Sequence, residues 1–201
     1  MELAEVIRRR RMTRSFDGAA LDHDTLHEVL DAARHAPSAG FAQGLDLVAL
    51  TAADRRGAFW ELASEAAWRD SPGAAELLAA PAIVVPVINP AAYVARYRAP
   101  DKLTSLLAGR EAPDWPVPYW LIDAAFATML MLLRATDVGL GALFFQLHGD
   151  EASVLAGLGV PAGRHTIGAV ALGAAVGTAP IGSAARLARR PYAEVVHEDG
   201  W

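Results

Sequence analysis

The feature that most restricts the fold is an unbroken apolar run, APAIVVPVINP, which begins at Ala80. Its apolar residues are continuous rather than alternating, so it predicts a strand that is buried on both faces. Pro86 lies inside the run and indicates an edge strand or a bulge, because proline has no N–H for a sheet hydrogen bond. A second stretch, YWLIDAAFATMLMLLRATDVG, predicts a long helix from about residue 118 to residue 137. Its charge-free part, between Asp123 and Arg134, is shorter than the roughly 20 residues of a membrane span, so the helix is expected in a protein core.

A chain of 201 residues, 53% hydrophobic and 20% charged, can bury one large core. We therefore expect a single domain over residues 1–201, of the α/β or α+β class. The absence of cysteine excludes disulfides, thiolate nucleophiles and cysteine metal sites. No signal peptide and no membrane span are expected, which favours the cytoplasm. The net charge of -5, with few and clustered basic residues, disfavours a nucleic-acid partner.

Helical periodicity and turn signals divide the rest of the chain. Asp22 and Asp150 stand where a side chain can cap the first turn of a helix, and Pro37 ends the helix that begins near Asp22. Strands are predicted at LDLVAL, ALFFQ and HTIGAVALGAAVG. Further helices are predicted at residues 2–11 and 54–67 and at AAYVARY and DKLTSLLAG, which precede a Pro- and Trp-rich loop, REAPDWPVPYW.

Common catalytic and metal-binding motifs fit the chain poorly. His23 and His27 have the i, i+4 spacing of a zinc-binding helix, but Asp24 stands where glutamate is needed and no third ligand is near. A solvated helix face is therefore expected there, and no metal is predicted. The stretch GLGVPA, residues 157–162, follows a helix rather than a strand, which argues against a dinucleotide-binding loop. The sequence has neither a P-loop nor a G-x-S-x-G elbow.

Basic residues are concentrated at two places. Five of the 18 stand within Arg8–Arg14, in RRRRMTRSFD, and a second cluster, ARLARR, ends at Arg190. Cations suit the C-terminal end of a helix, which explains part of the first cluster. Arg14 follows in a segment without helical pattern, so two interpretations stay open, a solvated helix end and an anion site. Guanidinium groups bind phosphate and carbonyl oxygens through a planar fork, so the second interpretation predicts one anionic ligand held by both clusters.

In RRMTRSFD and the later helix end ARHAPSAGFAQ, the chain resembles the FMN-dependent nitroreductase family. The resemblance continues through LAAPAIVVPVI and DAAFATMLMLLRATDVGLGALFFQ to the end, RRPYAEVVHEDGW, so it covers nearly the whole chain in the same order. It implies an α+β fold in which helices flank a mixed central sheet. It also implies an intertwined homodimer with a C-terminal extension, in which FMN lies at the interface and contacts both subunits.

The resemblance also assigns residues to the cofactor. Arg10 and Arg14 match two basic positions that contact the phosphate, the ribityl chain and the pyrimidine edge of the flavin. Phe144–Gln146 matches a strand end whose backbone faces the ring, and Arg189 matches a residue that closes on the phosphate. The full set of expected cofactor residues is Arg10, Arg11, Met12, Arg14, Pro37, Ser38, Ala39, Phe41, Gln43, Phe144, Phe145, Gln146, Arg189 and Arg190.

A loop from the second subunit is expected to complete the site. Pro37, Ser38 and Gln43 match the loop that lies against the flavin from the other chain. The sequence departs from the family at Met12, where serine is usual, and at Phe41, where asparagine is usual. The residues expected to line the substrate slot are Phe41, Trp115, Trp120 and Phe144.

By this resemblance the protein is expected to be an FMN-dependent oxidoreductase. It would pass hydride from NAD(P)H through flavin N5 to a planar, electron-poor acceptor such as a nitroaromatic, a quinone or an enone. The departures at Met12 and Phe41, with a composition rich in alanine and arginine, leave the deazaflavin F420 open as a second choice of cofactor. Two further functions stay open on the same scaffold, a reduced-flavin-handling protein and a non-catalytic flavin binder.

Overall fold

A four-stranded sheet lies at the centre of the protein, in a computed structural model that describes residues 1–177 and 187–201. The strands are β1 (Leu45–Leu50), β2 (Ala82–Ile88), β3 (Gly141–Phe145) and β4 (Ala169–Gly173), in the order β1-β2-β4-β3. All three neighbouring pairs are antiparallel. In the described residues, parallel pairing is limited to a bridge between Met12 and Ala142, on the outer edge of β3.

β2 is buried along its whole length, as its continuous apolar sequence predicts. It is not an edge strand, because it pairs with β1 in an unbroken register and with β4 on its other side. The N–H of Ile88 donates to the His165 carbonyl, on the side of β2 that faces β4. The nitrogen of Pro86, two residues earlier in the strand, points to the same side. The β4 ladder ends at Val84 and Val170, before Pro86, so no hydrogen bond is lost. The expectation of an edge strand is therefore wrong. Between the Val84–Val170 and Ile88–His165 pairs the partner segment has one residue more than β2, which is a bulge-like irregularity opposite Pro86.

Eight α-helices occur in residues 1–177, and most lie where the sequence predicts them. The side chain of Asp22 accepts the Thr25 N–H at 2.9 Å, and that of Asp150 accepts the Ser153 N–H at 2.8 Å, so both predicted caps are confirmed. The helices are α1 (Leu3–Arg9), α2 (His23–Arg34), α3 (Ala53–Ala63), α4 (Ala66–Arg69), α5 (Ala74–Leu78), α6 (Pro90–Tyr97), α7 (Tyr119–Asp137) and α8 (Glu151–Gly157).

Two predicted helices differ in the structure. The helix expected over residues 54–67 divides into α3 and α4, because Ser64 is extended and its hydroxyl donates to the Trp60 carbonyl at 2.7 Å. The segment DKLTSLLAG contains the end of a short 3-10 helix, Pro100–Lys102, followed by turns, and it forms no α-helix. There the Ser105 hydroxyl accepts the Leu107 N–H at 3.3 Å, a local bond that competes with helical hydrogen bonding.

Helices cover both faces of the sheet, which confirms the expected α+β class. On one face α2 and α7 bury Val29 and Met131 against β4 residue Leu172. On the other face α3 and α8 contribute Phe59 and Val154 to a second cluster. α7 is long and apolar enough to cross a membrane. The core helix of a soluble protein can have the same length and composition. The inner side of α7 is buried against the sheet, as the sequence predicts.

The outer side of α7 is also apolar, and it is exposed. Ile122, Phe126 and Met129 follow one another at about one helical turn and are 36%, 48% and 46% exposed. α1, which contacts α7, adds the exposed side chains of Leu3 and Ile7. We call these five residues the apolar surface. Contiguous exposed hydrophobic side chains of this size are typical of a protein interface.

Residues 187–201 form a tail whose side chains are exposed. A short 3-10 turn at Tyr192–Glu194 is braced by Arg190, whose Nε lies 3.6 Å from the Glu194 carboxylate. The rings of His197 and Trp201 stack with centroids 4.2 Å apart. These contacts join tail residues to one another.

Candidate functional site

The arginine-rich segment leaves α1 and runs along the outer edge of β3. Arg10 caps α1 and turns the chain into an extended conformation. Met12 then forms its bridge with Ala142, and the Thr13 N–H donates to the Ala142 carbonyl at 2.8 Å. Gly141 permits this approach, since a β-carbon there would lie 2.8 Å from the Thr13 methyl group. Backbone contacts therefore hold the segment against the sheet.

A cavity of about 540 Å³ lies between this segment, the end of α7 and the residues after β4, and we call it the arginine cavity. None of the described residues that line it is acidic. Arg9 is paired with Glu5 at 3.1 Å. Arg11 donates to the carbonyls of Arg8 and Arg10 at 2.6 and 2.9 Å. Positive charge gathered in a concave site raises the local concentration of anions. The lining arginines are Arg8, Arg9, Arg11 and Arg14.

Arg10 occupies a different position from its neighbours. It does not line the arginine cavity, although the sequence predicts it as a cofactor contact, whereas Arg8 and Arg9, which the sequence did not assign, do line it. The Nη1 of Arg10 is buried and has no hydrogen-bond partner among the described residues. A buried donor without an acceptor costs roughly 1–3 kcal/mol.

A second cavity, of about 280 Å³, lies at the end of β3, and we call it the aromatic slot. Phe144, Phe145 and Gln146 line it, and so does Arg14, which also lines the arginine cavity. The structure therefore joins the predicted strand end to the second predicted arginine. Phe145 stacks on Trp60, with ring centroids 5.1 Å apart and an angle of 19° between the planes.

Trp60 and Trp68, from α3 and α4, complete the aromatic wall of the slot. Sequence reasoning did not find either residue, because no local pattern in α3 indicates which strand end it will meet. Trp60 is 5% exposed, and its indole nitrogen has no hydrogen-bond partner in the described part of the chain. The slot thus combines aromatic walls with a guanidinium, which suits a planar ligand with carbonyl oxygens.

The predicted cofactor loop, residues 37–43, lies at the other side of the sheet. Pro37, Ser38 and Gln43 line a separate cavity of about 210 Å³. The loop leads into β1, one edge of the sheet, whereas the arginine segment lies beside β3, the other edge. Adjacent strands are about 4.8 Å apart, so the two edges are separated by about 14 Å. A single chain therefore does not bring this loop and Arg14 to one cavity.

The backbone of the loop is strained. Gly40, Phe41 and Gln43 have φ values of 61°, 57° and 49°, in a region that residues other than glycine rarely adopt. The Ser38 hydroxyl accepts the Gln43 N–H at 3.1 Å and closes the loop, while the Phe41 ring is 72% exposed. Strain of this kind costs about 1–3 kcal/mol per residue and persists only where the surrounding structure holds it.

Asp123, near the start of α7, holds the beginning of the loop. Its Oδ2 accepts the Ala39 N–H and the Tyr93 hydroxyl, each at 2.8 Å, and the residue is 6% exposed. Burial, and then the neighbouring carboxylate, raise the pKa of Tyr93 above its ordinary value, so the phenol stays a donor. Sequence reasoning treated Asp123 only as a charge within an apolar helix. A lone acid in such a helix is the signal of a buried partner.

Arg96, on α6, holds the middle of the loop. Its Nε donates to the Gly40 carbonyl at 2.7 Å. Its two terminal nitrogens donate to both carboxylate oxygens of Asp101, at 2.8 and 2.6 Å, and this bidentate pair fixes the guanidinium plane. The hydrogen bonds from Arg96 lower the pKa of Asp101 to about 2.

The two tryptophans predicted to line a substrate slot pack beneath this loop. Trp115 is buried, and its ring meets those of Tyr93, Tyr97 and Tyr119 edge-on, with centroids 6.4, 5.0 and 6.2 Å away. Trp120 is half-buried, 5.6 Å from Trp115. In this chain both rings stiffen the platform that carries the loop, and neither lines the aromatic slot.

The predicted contacts in the tail stay predictions. Arg189 and Arg190 are exposed, and Arg190 pairs with Glu194. The beginning of the second arginine cluster, with Arg186, lies outside the described residues.

The histidines considered as zinc ligands lie away from the cavities. His23 is exposed and lies 3.6 Å from Asp24. Across residues 1–177 and 187–201, no group of three or more metal-binding side chains is close enough to hold a metal ion. The candidate site thus consists of cations, aromatic rings and backbone groups.

Fold and site together define an α+β protein with a cationic, aromatic-walled ligand site at a sheet edge. The sequence model of the Nitroreductase family matches residues 7–174, and the chain belongs to this family. Family membership supports an oxidoreductase activity. Among curated protein sequences, none matches the chain.

Solved structures with the same fold include several nitroreductases. A nitroreductase family protein from Streptococcus pneumoniae TIGR4 is 16% identical, with a TM-score of 0.75 over 98% of this chain and 100% of that one. One from Clostridium novyi NT is 24% identical, with a TM-score of 0.65 over 88% and 86% of the two chains. A nitroreductase from Desulfovibrio desulfuricans, solved in complex with FMN, is 20% identical, with a TM-score of 0.71 over 100% and 98%.

Proposed function

We propose that the protein is a cytoplasmic, FMN-dependent oxidoreductase that works as a homodimer. It would pass hydride from NAD(P)H to a planar, electron-poor acceptor such as a nitroaromatic, a quinone or an enone. The observation that carries the proposal is the position of Arg14, which lines both the arginine cavity and the aromatic slot in a chain of the Nitroreductase family. The FMN complex of the Desulfovibrio protein, which has the same fold, supports the choice of cofactor.

The chemistry of the two cavities fits the two parts of FMN. The phosphate is an anion, and four guanidinium groups line the arginine cavity. The flavin ring is planar and carries carbonyl oxygens, and the slot offers stacked aromatic rings and the guanidinium of Arg14. Arg11 and Arg14 would hold the phosphate and the ribityl chain, and the backbone of Phe144–Gln146 would meet the ring.

When bound, FMN supplies a ring atom, N5, that accepts hydride from NAD(P)H and donates it to the acceptor. The residues of the chain act through charge and shape. Arg14 places a positive charge beside the slot, and this charge stabilises negative charge that develops on a bound ring. Phe145 and Trp60, stacked on each other, keep water from one wall of the slot.

The proposal requires a second copy of the chain. The 37–43 loop and Arg14 lie at opposite edges of the sheet, so a ring that meets both must lie between two subunits. The apolar surface on α1 and α7 offers the area that such a copy would cover. The exposed tail, with Leu187 and Tyr192, suits an arm that wraps around a partner. Phe41 of one subunit would then reach the aromatic slot of the other.

The ligand released by heating the purified protein, identified by mass spectrometry, tests the cofactor. FMN is the expected result, whereas F420 would establish a deazaflavin cofactor. A colourless protein that takes up no FMN would refute the proposal. Bleaching of the flavin by NADH or NADPH without air, followed by recovery with a quinone, is expected of the reductase. A bound flavin that neither nucleotide bleaches would instead support a flavin-handling protein or a binder.

Substitution of Arg14 tests the residue that joins the two cavities. A hydrogen bond to a charged group contributes about 1.5–3 kcal/mol, so Arg14→Ala should raise the Kd for FMN about 10- to 100-fold. Arg55 is an exposed arginine on α3 that lines neither cavity. Arg55→Ala changes the net charge by the same amount and should leave the Kd unchanged. Equal affinities in the two variants would contradict the role of Arg14.

A further inference from the structure

One aromatic side chain of the aromatic slot is accessible to solvent. Trp68, on α4, lines the slot and is 37% exposed, which makes it the most exposed of the aromatic side chains there. Trp60, by contrast, is packed in the core. The two tryptophans that the sequence predicts for a substrate slot, Trp115 and Trp120, do not line it. Trp68 therefore offers a planar ligand an indole ring that the sequence did not indicate.

Hydrogen bonds and packing hold Trp68 in place before any ligand binds. Arg69, the next residue, donates to the carbonyls of Ser64 and Trp60 at 2.5 and 3.2 Å. Its other terminal nitrogen pairs with Glu61 at 2.7 Å. The Trp68 ring packs against the Trp60 ring, with centroids 5.8 Å apart and an angle of 38° between the planes. A ring supported in this way loses little conformational entropy when a ligand binds to its exposed part.

The exposure of Trp68 favours contact with the acceptor rather than with the cofactor. A tightly bound cofactor stays in place through many turnovers, whereas the acceptor enters and leaves in each one, so the acceptor needs the side of the slot that opens to solvent. The proposed function already assigns Arg14 and the strand end Phe144–Gln146 to the flavin. An indole ring is rich in π electrons and the proposed acceptors are planar and electron-poor, so offset stacking of the two is favourable.

We propose that Trp68 is an acceptor-binding residue of this chain, on whose indole ring a planar, electron-poor acceptor such as a quinone or a nitroaromatic stacks. The inference rests on the proposed function and extends it by naming the side chain that selects the acceptor. Selection follows from shape, because a flat ring system gains the stacking contact and a compact, non-planar acceptor does not.

Calorimetric titration of the oxidised holoenzyme with 1,4-naphthoquinone, in the absence of a reductant, measures acceptor binding apart from turnover. Trp68→Ala should raise the Kd for naphthoquinone about 5- to 20-fold, because it removes both the stacking contact and the apolar area that the ligand covers. Trp68→Leu keeps apolar area without a ring, so the Kd should rise about three- to fivefold. Trp68→Phe keeps a smaller ring, and the rise should stay below about threefold.

Turnover with two acceptors gives a second comparison. The kcat/KM for naphthoquinone should fall in Trp68→Ala by the factor by which the Kd rises. Ferricyanide is octahedral and cannot stack, so its rate, with two equivalents consumed per reduced flavin, should change less than about twofold, and so should the Kd for FMN. Leu106→Ala removes an exposed apolar side chain outside the slot and is the control, which should leave all of these values unchanged.

The wild-type protein offers a direct measurement of the stacking contact. The chain has five tryptophans and therefore five indole N–H signals in a ¹H–¹⁵N spectrum of the oxidised holoenzyme. The signal absent from Trp68→Phe, or assigned by triple-resonance spectra if that variant does not fold, belongs to Trp68. It should move upfield when naphthoquinone is added, because protons above the face of an aromatic ring are shielded.

The results that would overturn the inference differ from those that would overturn the proposed function. An unmoved Trp68 signal, with an unchanged Kd for naphthoquinone in Trp68→Ala, would overturn the inference and leave FMN binding intact. A Kd for FMN that rises as much as the Kd for naphthoquinone would also overturn it, because Trp68 would then contact the cofactor. A wild-type protein that binds no FMN would overturn the proposed function, and the inference with it.

Discussion

Asp123 is the best test of how the strained loop is held, because one carboxylate oxygen serves two buried donors. Asp123→Ala leaves the Ala39 N–H and the Tyr93 hydroxyl without their acceptor. Each unsatisfied donor costs about 1–3 kcal/mol, so the free energy of unfolding should fall by about 3 kcal/mol. For a chain of this length, 1 kcal/mol corresponds to about 2–4 °C, so the melting temperature should fall by about 6–12 °C.

Thermal and urea unfolding at a fixed protein concentration measure this change, since the stability of a dimer depends on concentration. In a double-mutant cycle with Tyr93→Phe, which removes one of the two donors, the pair should show a coupling of about 1 kcal/mol. Asp46→Ala, at an exposed position of β1, is the control and should stay within about 0.5 kcal/mol of the wild type. Additive effects in the cycle, or a loss of stability no larger than that of the control, would refute the reasoning.

Three further predictions follow from single contacts. If the protein forms the proposed dimer through the apolar surface, Phe126→Asp should give a monomer in sedimentation experiments and retain less FMN, whereas Leu106→Asp, at an exposed leucine outside that surface, should sediment like the wild type. Gly44→Ala should lose about 1–3 kcal/mol, because its β-carbon would lie 2.5 Å from a buried tyrosine ring, while Gly57→Ala, in α3 with open space around it, should gain about 0.5–1 kcal/mol. Asp101 has its pKa lowered from 3.8 to about 2, so its contribution to stability is present above pH 4 and lost as the pH falls toward 2. Asp101→Asn should therefore flatten the acid side of the stability profile, and an unchanged slope would contradict the ion pair.

The parts of the fold that depend on local chemistry could be predicted from the sequence. Asp22 and Asp150 cap helices because a short side chain reaches an N–H three residues later, whatever the rest of the fold does. The burial of β2 follows from its continuous apolar sequence. Pro86 led to the wrong expectation of an edge strand. The sequence shows that its N–H is missing, but only the packed sheet shows that the hydrogen-bond ladder to β4 has already ended before Pro86.

The candidate site depends on contacts between distant residues, and there the sequence was informative only in part. The arginine cluster is visible as a pattern, yet the turn at Arg10 decides which guanidinium groups reach the cavity. The bond from Ala39 to Asp123 joins residues 84 positions apart; an acid in an apolar helix indicates a buried partner, but nothing in either neighbourhood identifies Ala39 as that partner. Trp60 reaches Phe145 in the same way, through the packing of α3 on one face of the sheet.

Phe41 tests whether strain in the loop serves a purpose. The φ of 57° at Phe41 costs about 1–2 kcal/mol, and glycine does not have this cost because it lacks a β-carbon. Glycine instead lowers the stability of the folded protein by about 0.5–1 kcal/mol, because it gives the unfolded chain more conformational freedom. Phe41→Gly should therefore be at least as stable as Phe41→Ala, with an advantage of up to about 1.5 kcal/mol, because alanine keeps the β-carbon that causes the strain. Both variants lack the ring, so both should lose FMN affinity to a similar extent. A Phe41→Gly variant that is clearly less stable than Phe41→Ala would show that the loop stores no strain at this residue, and full FMN affinity in both would show that the exposed ring does not reach a partner's slot.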